Sequence, residues 1–237
     1  MLGTLLNGAA ILGGGLAGWL GGRDLPPAWQ QRLRVVSAVL IAFVGLRVAW
    51  LALPDAGGWL RTCLVALAAA MAGGFVGRLL RLQRAAHGAA KFARERFATA
   101  ARGGPVTVGE GLRASAALFA VTPLAFAGPV IEGAAGDPTV LAAKALLDGL
   151  AAVSLGRVFR GGTALAALPV VAWQGSLVLG LRVLAPALPP PALAALLVTA
   201  GWLTAAVALV ALDVRKVRWA ELLPALVFAP LFGRWWG

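Results

Sequence analysis

Residues 139–157 read TVLAAKALLDGLAAVSLGR. Lys144 and Asp148 interrupt this otherwise apolar run one helical turn apart, so on a helix they share a face. The apolar residues are continuous rather than alternating, which predicts a helix and not a strand. The run is close to the roughly 20 residues that a helix needs to cross a bilayer. An ionisable side chain at the bilayer centre costs at least ~2.5–3.5 kcal/mol by insertion scales, and such groups pair or mark paths for ions and protons. The fold class and the candidate chemistry both start from this stretch.

The rest of the chain has the same character. Of 237 residues, 60% are hydrophobic and only 13% are charged, and the mean hydropathy is +0.87. Soluble domains carry about 45–50% apolar and about 25% charged residues, so an integral membrane protein is expected. Net charge is +12. That balance could suit nucleic acid, but no nucleic-acid motif accompanies it, and basic residues collect in cytoplasmic loops of membrane proteins anyway. No nucleic-acid partner is expected. Cys63 and His87 are each the sole residue of their type, which excludes an intrachain disulfide, a thiolate cluster and a His-rich metal site. No metal or cofactor is expected.

Eight apolar segments can be cut from the chain: Leu2–Leu20, Val35–Leu53, Gly58–Leu80, Leu112–Ile131, Thr139–Gly156, Thr163–Val183, Pro191–Leu212 and Ala220–Trp236. They predict an all-α polytopic transmembrane bundle of about eight spans, forming one integral membrane domain over 1–237. Loop charge tests the cut. The loops at 21–34, 78–113, 157–162 and 213–219 hold 16 of the 21 Lys and Arg residues, including Arg23, Arg78, Arg81, Arg84, Arg215, Lys216 and Arg218. The opposite side keeps Arg47, Arg61, Arg182 and Arg234. The positive-inside rule then places the basic loops in the cytoplasm and both termini outside. Residues 81–102 predict a basic surface helix on the cytoplasmic side, carrying Phe92 and Phe97 and lying near anionic headgroups.

An internal repeat is also legible. Gly45–Pro54, GLRVAWLALP, matches Gly180–Pro189, GLRVLAPALP, at seven of ten positions. Leu6-Asn7-Gly8 corresponds to Leu147-Asp148-Gly149, and Pro123 with Pro129 to Pro224 with Pro230. Two similar four-helix halves in the same orientation, 1–131 and 139–237, are expected. The four prolines are candidate helix breaks, a feature of transporters built from repeats.

Several longer stretches occur in order along the chain: GTLLNGAAILGGGLAGWLGG at 3–22, GEGLRASAALF at 109–119, VLAAKALLDGLAAVSLG at 140–156, LPVVAWQGS at 168–176 and VRKVRWAELLPALVFAPLF at 214–232. Together they resemble the bacterial membrane family catalogued as domain of unknown function 554 (the YdfK/YqgA group). The resemblance covers nearly the whole chain. It implies a multi-pass protein of the bacterial cytoplasmic (inner) membrane with a role in transport, and adds little mechanism.

Four polar residues are the candidate substrate- or ion-binding set: Asp148, Lys144, Gln174 near the middle of the sixth segment, and Asn7, the repeat counterpart of Asp148. A buried carboxylate with amide carbonyls suits a cation or proton relay, and a buried ammonium suits an anionic group. The alternative is structural: Lys144 and Asp148 neutralise each other, while Asn7 and Gln174 tie helices together. Glu110 and Glu221 are read as charges at helix N-termini. The glycines of the first segment allow close helix packing or a flexible gate, and small-residue faces are compatible with a homodimer. The chain lacks the Gly-x-Ser-x-Gly, His-Glu-x-x-His and Gly-Lys-Ser/Thr signatures, and Asp148 has no second mid-span carboxylate, so no enzyme is expected. The leading expectation is a transporter or channel for a small solute or ion, with the lipid bilayer as its surroundings. The alternative is a non-transporting scaffold whose basic helix binds lipid or a partner protein.

Overall fold

The computed structural model describes residues 1–21, 26–54, 58–212 and 217–236, apart from the Pro27 side chain. Arg23, Arg215 and Lys216, three of the charges used for the loop assignment, lie outside the described residues. Within them the fold is all helical. The helices are α1 (Leu2–Trp19), α2 (Pro27–Leu51), α3 (Trp59–Leu79), α4 (Leu82–Ala101), α5 (Val108–Ala120), α6 (Leu124–Ala135), α7 (Thr139–Phe159), α8 (Gly161–Leu165), α9 (Ala167–Leu184), α10 (Pro190–Ala211) and α11 (Ala225–Trp236). Single 3₁₀ turns occupy Ala185–Ala187 and Trp219–Leu222.

Local sequence accounts for several boundaries. Proline opens α2 and α10, where its missing N–H costs no helical bond. Thr107 and Glu110 form a reciprocal capping box at the start of α5. Gly136, at φ +72°, terminates α6 in the left-handed conformation. Five helices are long and apolar enough to cross a membrane: Ala28–Leu51, Trp59–Leu79, Thr139–Phe159, Gly161–Ala187 and Pro190–Ala211. The α5–α6 pair qualifies as a sixth when taken as one span, bent by 62°. The six glycines and Asn7 of α1 dilute its hydropathy, and α1 is not among these helices.

Two of the eight apolar segments are therefore broken at a proline, whereas Thr163–Val183 passes from α8 into α9 at Ala166 and still counts as one span. Leu112–Ile131 divides into α5 and α6, and Ala220–Trp236 into a 3₁₀ turn and the 12-residue α11. In each case a proline stands at the division, Pro123 before α6 and Pro224 before α11. Pro129 and Pro230, also read as helix breaks, lie inside continuous helices. Neighbouring helices and local adjustment make such interior prolines tolerable in membrane bundles.

Packing shows how far each element runs. Helix α1 lies parallel to α7 along its whole length, with Gly3 against Pro138 and Leu141 and Gly18 against Val153 and Arg157. The bent pair runs antiparallel to α7, Gly111 meeting Phe159 and Gly128 meeting Val140 and Leu141. The Trp219–Leu222 turn and α11 run antiparallel to α3, with Glu221 at Gly77 and Ala225 at Gly73, and Gly233 reaches the start of α10. Helices α2 and α10 cross where Gly45 meets Gly201. One apolar core joins α2, α6, α7 and α10 through Ile41, Val44, Ile131, Val140 and Leu196. A second joins α1, α5, α7 and α9 through Ile11, Phe119, Phe159 and Val170. The outward faces stay apolar, as for Phe43, Met71 and Phe75, each more than 60% exposed, which suits contact with lipid.

Polar groups sort to the two ends. Met1 pairs with Glu132, and Arg47 with Asp137, at the end where α6 finishes and α7 begins. Arg47, one of the few basic residues on this side, thus has a carboxylate partner. The opposite end carries Arg78, Arg218 and Glu221 in one ion-pair cluster, and Arg96 paired to Glu110. Helix α4 packs on this basic end. It buries Ala93, rests Phe92 and Phe97 on the second core, and turns Arg84, Lys91 and Arg94 outward. Gln83 accepts a hydrogen bond from the Ala220 backbone N–H at 3.1 Å, so α4 is docked on the protein. The matched decapeptides both fall at helix C-termini, yet Gly45 packs against α10 while Gly180 faces open space.

Candidate functional site

The polar site is assembled from α1, α5, α7 and α9. On α7, Lys144 and Asp148 stand one turn apart and pair directly. Helix α1 reaches this face because Gly8 leaves room for the Val171 side chain of α9, while Gly14 and Gly15 approach the backbones of α7 and α8. Asn7 is thereby placed beside the stretch of α7 that carries Lys144 and Asp148. Its amide nitrogen donates to Gln174 Oε1 on α9 at 3.2 Å. The four residues singled out from sequence therefore lie in one polar cluster, made of the Lys144–Asp148 pair and the Asn7–Gln174 pair. It is thoroughly buried: Asn7 and Gln174 are 0% exposed, Lys144 1% and Asp148 7%.

The fifth participant was not legible in sequence. Lys144 Nζ donates to the Phe119 carbonyl at 3.0 Å. In an unbroken helix that carbonyl would accept from the N–H four residues later, at position 123. Position 123 is proline and has no N–H. The break between α5 and α6 thus exposes a backbone acceptor, and the ammonium of α7 takes it. Thr122 Oγ1 lies 3.5 Å from the same oxygen. The broken helix and the charge pair are one structural unit.

The charges of Lys144 and Asp148 cancel, but the amides are not fully satisfied. Asn7 Oδ1 and Gln174 Nε2 are buried without a hydrogen-bond partner. Each such orphan costs about 1–3 kcal/mol. They leave one acceptor and one donor, of opposite hydrogen-bonding sense, unpaired within the buried cluster.

A second buried carboxylate lies toward the end of the bundle. Glu132, 1% exposed, accepts from the Gly3 N–H at 2.8 Å, the Thr4 N–H at 3.2 Å and the Thr4 hydroxyl at 3.0 Å, besides pairing with the Met1 amine. The first N–H groups of α1 have no intrahelical acceptor, and Glu132 satisfies them from α6. In sequence it reads only as a charge at the end of a segment. The expected charges at helix starts divide: Glu110 caps α5, whereas Glu221 pairs with Arg78 and Arg218.

A family model described as "Protein of unknown function (DUF554)" matches residues 2–233. The chain belongs to the DUF554 family. A DUF554-length relative, "Uncharacterized membrane protein YdfK" of Bacillus subtilis (strain 168), is 26% identical over 232 residues, which are 98% of this chain and 95% of the relative. The resemblance carried by the ordered motifs therefore holds, and with it the placement of this DUF554 chain among membrane proteins. No solved structure matches it.

Proposed function

We propose that this DUF554 protein carries a small solute or ion across the bacterial cytoplasmic membrane, with Asp148, Lys144, Asn7 and Gln174 as the site that holds the transported species in transit. The observation that supports this reading most is the pair of orphaned amide atoms beside a buried carboxylate, at the border of a broken helix. Broken helices next to buried polar groups are how many transporters expose backbone and side-chain ligands at mid-membrane. The reading includes eight crossings, because α1 lies along the full length of α7, and the Trp219–Leu222 turn with α11 along that of α3. It also includes two halves in the same orientation. The shared arrangement of a proline before a short helix and a second proline inside it, at Pro123 and Pro129 and at Pro224 and Pro230, supports that repeat. The basic end, with α4, faces the cytoplasm by the positive-inside rule, and both termini face outward. The protein is not an enzyme on this reading.

Wild-type protein in sealed proteoliposomes is expected to move at least one ion or small metabolite faster than protein-free vesicles. Asp148→Asn keeps the shape and removes the charge, and it should lower that flux by at least about tenfold, equivalent to about 1.4 kcal/mol. Flux unchanged by Asp148→Asn, or no flux of any tested ion or metabolite, contradicts the proposal. A scaffold reading draws on the outward Arg84, Lys91 and Arg94 of α4. Under it, deleting residues 84–102 abolishes the cellular phenotype and Asp148→Asn leaves it intact.

A further inference from the structure

At the basic end, the last turn of α3, the first two turns of α4 and the Trp219–Leu222 turn border an open cavity of about 430 Å³. Its charged lining is Arg78, Arg81, Arg84 and Arg218, with His87 and a single carboxylate, Glu221. Glu221 is already engaged by Arg218 at 3.0 Å and Arg78 at 3.9 Å. Among the described residues Arg81 and Arg84 have no carboxylate partner. Four guanidinium groups and one carboxylate therefore line the same cavity, a clear surplus of positive charge.

The walls are fixed by backbone contacts. Arg81, at φ +54°, makes the turn that folds α4 back from α3. Gln83 holds the Ala220 N–H, and at Gly77 an added Cβ would lie 2.1 Å from the Glu221 carbonyl oxygen. The four arginines thus branch from backbone positions fixed relative to one another. The volume falls within the roughly 300–1,000 Å³ of small-ligand pockets. Guanidinium forks match phosphate oxygens through paired N–H donors. Arg78 and Arg81 also flank the end of the apolar surface of α3 in sequence, where Phe75, Leu79 and Leu80 are 67%, 71% and 60% exposed.

We infer that this cavity is a binding site for a phosphate-bearing anion. The geometry accepts the headgroup of an anionic phospholipid whose chains lie along the α3 surface, or a free phosphate compound from the aqueous side. The inference does not depend on transport through the Asp148 site.

The test is native mass spectrometry and calorimetric titration of the full chain in a neutral detergent. The probes are short-chain phosphatidylglycerol, phosphatidylcholine of the same chain length, glycerol phosphate and inorganic phosphate. The key variant is Arg81→Gln/Arg84→Gln. The control is Lys91→Gln/Arg94→Gln, which removes the same charge from the same helix outside the cavity. Phosphatidylglycerol bound in preference to phosphatidylcholine, and weakened at least about tenfold by the first variant but by no more than about twofold by the control, supports the site with a lipid source. The same pattern with glycerol phosphate or inorganic phosphate supports it with a soluble source. Equal loss in both double variants shows diffuse charge attraction and overturns the site, as does the absence of binding by the wild-type chain. Arg84→Gln alone repeats the comparison if the double variant does not purify as a folded species.

Discussion

Replacing Lys144 with methionine is expected to destabilise the protein by about 3–5 kcal/mol, the usual cost of leaving one member of a buried ion pair uncompensated. The Asp148 carboxylate would lose the ammonium it pairs with, and the Phe119 carbonyl would lose the ammonium that replaces the helical donor missing at Pro123. The loss thus falls on two buried acceptors on different helices. Removing both charges together has a different outcome. Lys144→Met/Asp148→Leu leaves no buried charge, and replacing a buried pair with apolar residues of similar size is often neutral or stabilising. The double variant should recover most of the loss, short of up to about 1–3 kcal/mol for the Phe119 carbonyl, left with the long Thr122 hydroxyl contact. Unfolding by titration with a denaturing detergent, followed by tryptophan fluorescence, reads both values. A Lys144→Met protein as stable as wild type would mean that the two groups do not share a buried pair.

The second large effect concerns the contact that brings Asn7 beside α7. A Cβ added at Gly18 would lie 2.1 Å from the Val153 carbonyl oxygen and 2.9 Å from its carbon, both backbone atoms of α7. No side-chain rotation relieves that clash, so α1 must move away from α7. Gly18→Ala is expected to cost at least about 2–3 kcal/mol, the upper part of the overpacking range. Gly13 lies on the same helix with no heavy atom within 4 Å of an added Cβ. There alanine removes only the conformational freedom of glycine, and Gly13→Ala should be neutral or stabilise by up to about 1 kcal/mol. The same unfolding titration compares the two. Equal effects at both positions would contradict the close α1–α7 packing.

Much of the site can be read from the chain because polar side chains are conspicuous in an apolar sequence. Lys144 and Asp148 declare themselves by spacing, Gln174 by its position in mid-segment, and Asn7 by its place in the repeat. That all four meet follows from burial: each needs a polar partner, and the apolar surroundings offer few others. What sequence hides is chiefly backbone and long-range. Pro123 marks a break, but nothing local tells that the freed Phe119 carbonyl faces Lys144, 25 residues away in sequence. Leu112–Ile131 reads as one span because apolar residues continue across the 62° bend, and hydropathy is blind to direction. Glu132 looks like a terminal charge because the N–H groups it accepts lie at Gly3 and Thr4. The decapeptide match locates two helix ends correctly and says nothing of their neighbours, which differ at Gly45 and Gly180.

On the transport reading the Asn7 and Gln174 amides, fully buried in this conformation, become reachable by water-borne species during the transport cycle. With Cys63 replaced by serine, single cysteines at Asn7, Gln174 and Ile11 can be exposed to a small charged methanethiosulfonate in intact membranes. Ile11 is the control, one turn along α1 and fully buried in the apolar core. A transport site predicts modification of Asn7→Cys and Gln174→Cys and none of Ile11→Cys. Failure of both Asn7→Cys and Gln174→Cys to react, in protein that unfolds like wild type, would contradict the claim and leave the Lys144–Asp148 network as a purely structural tie.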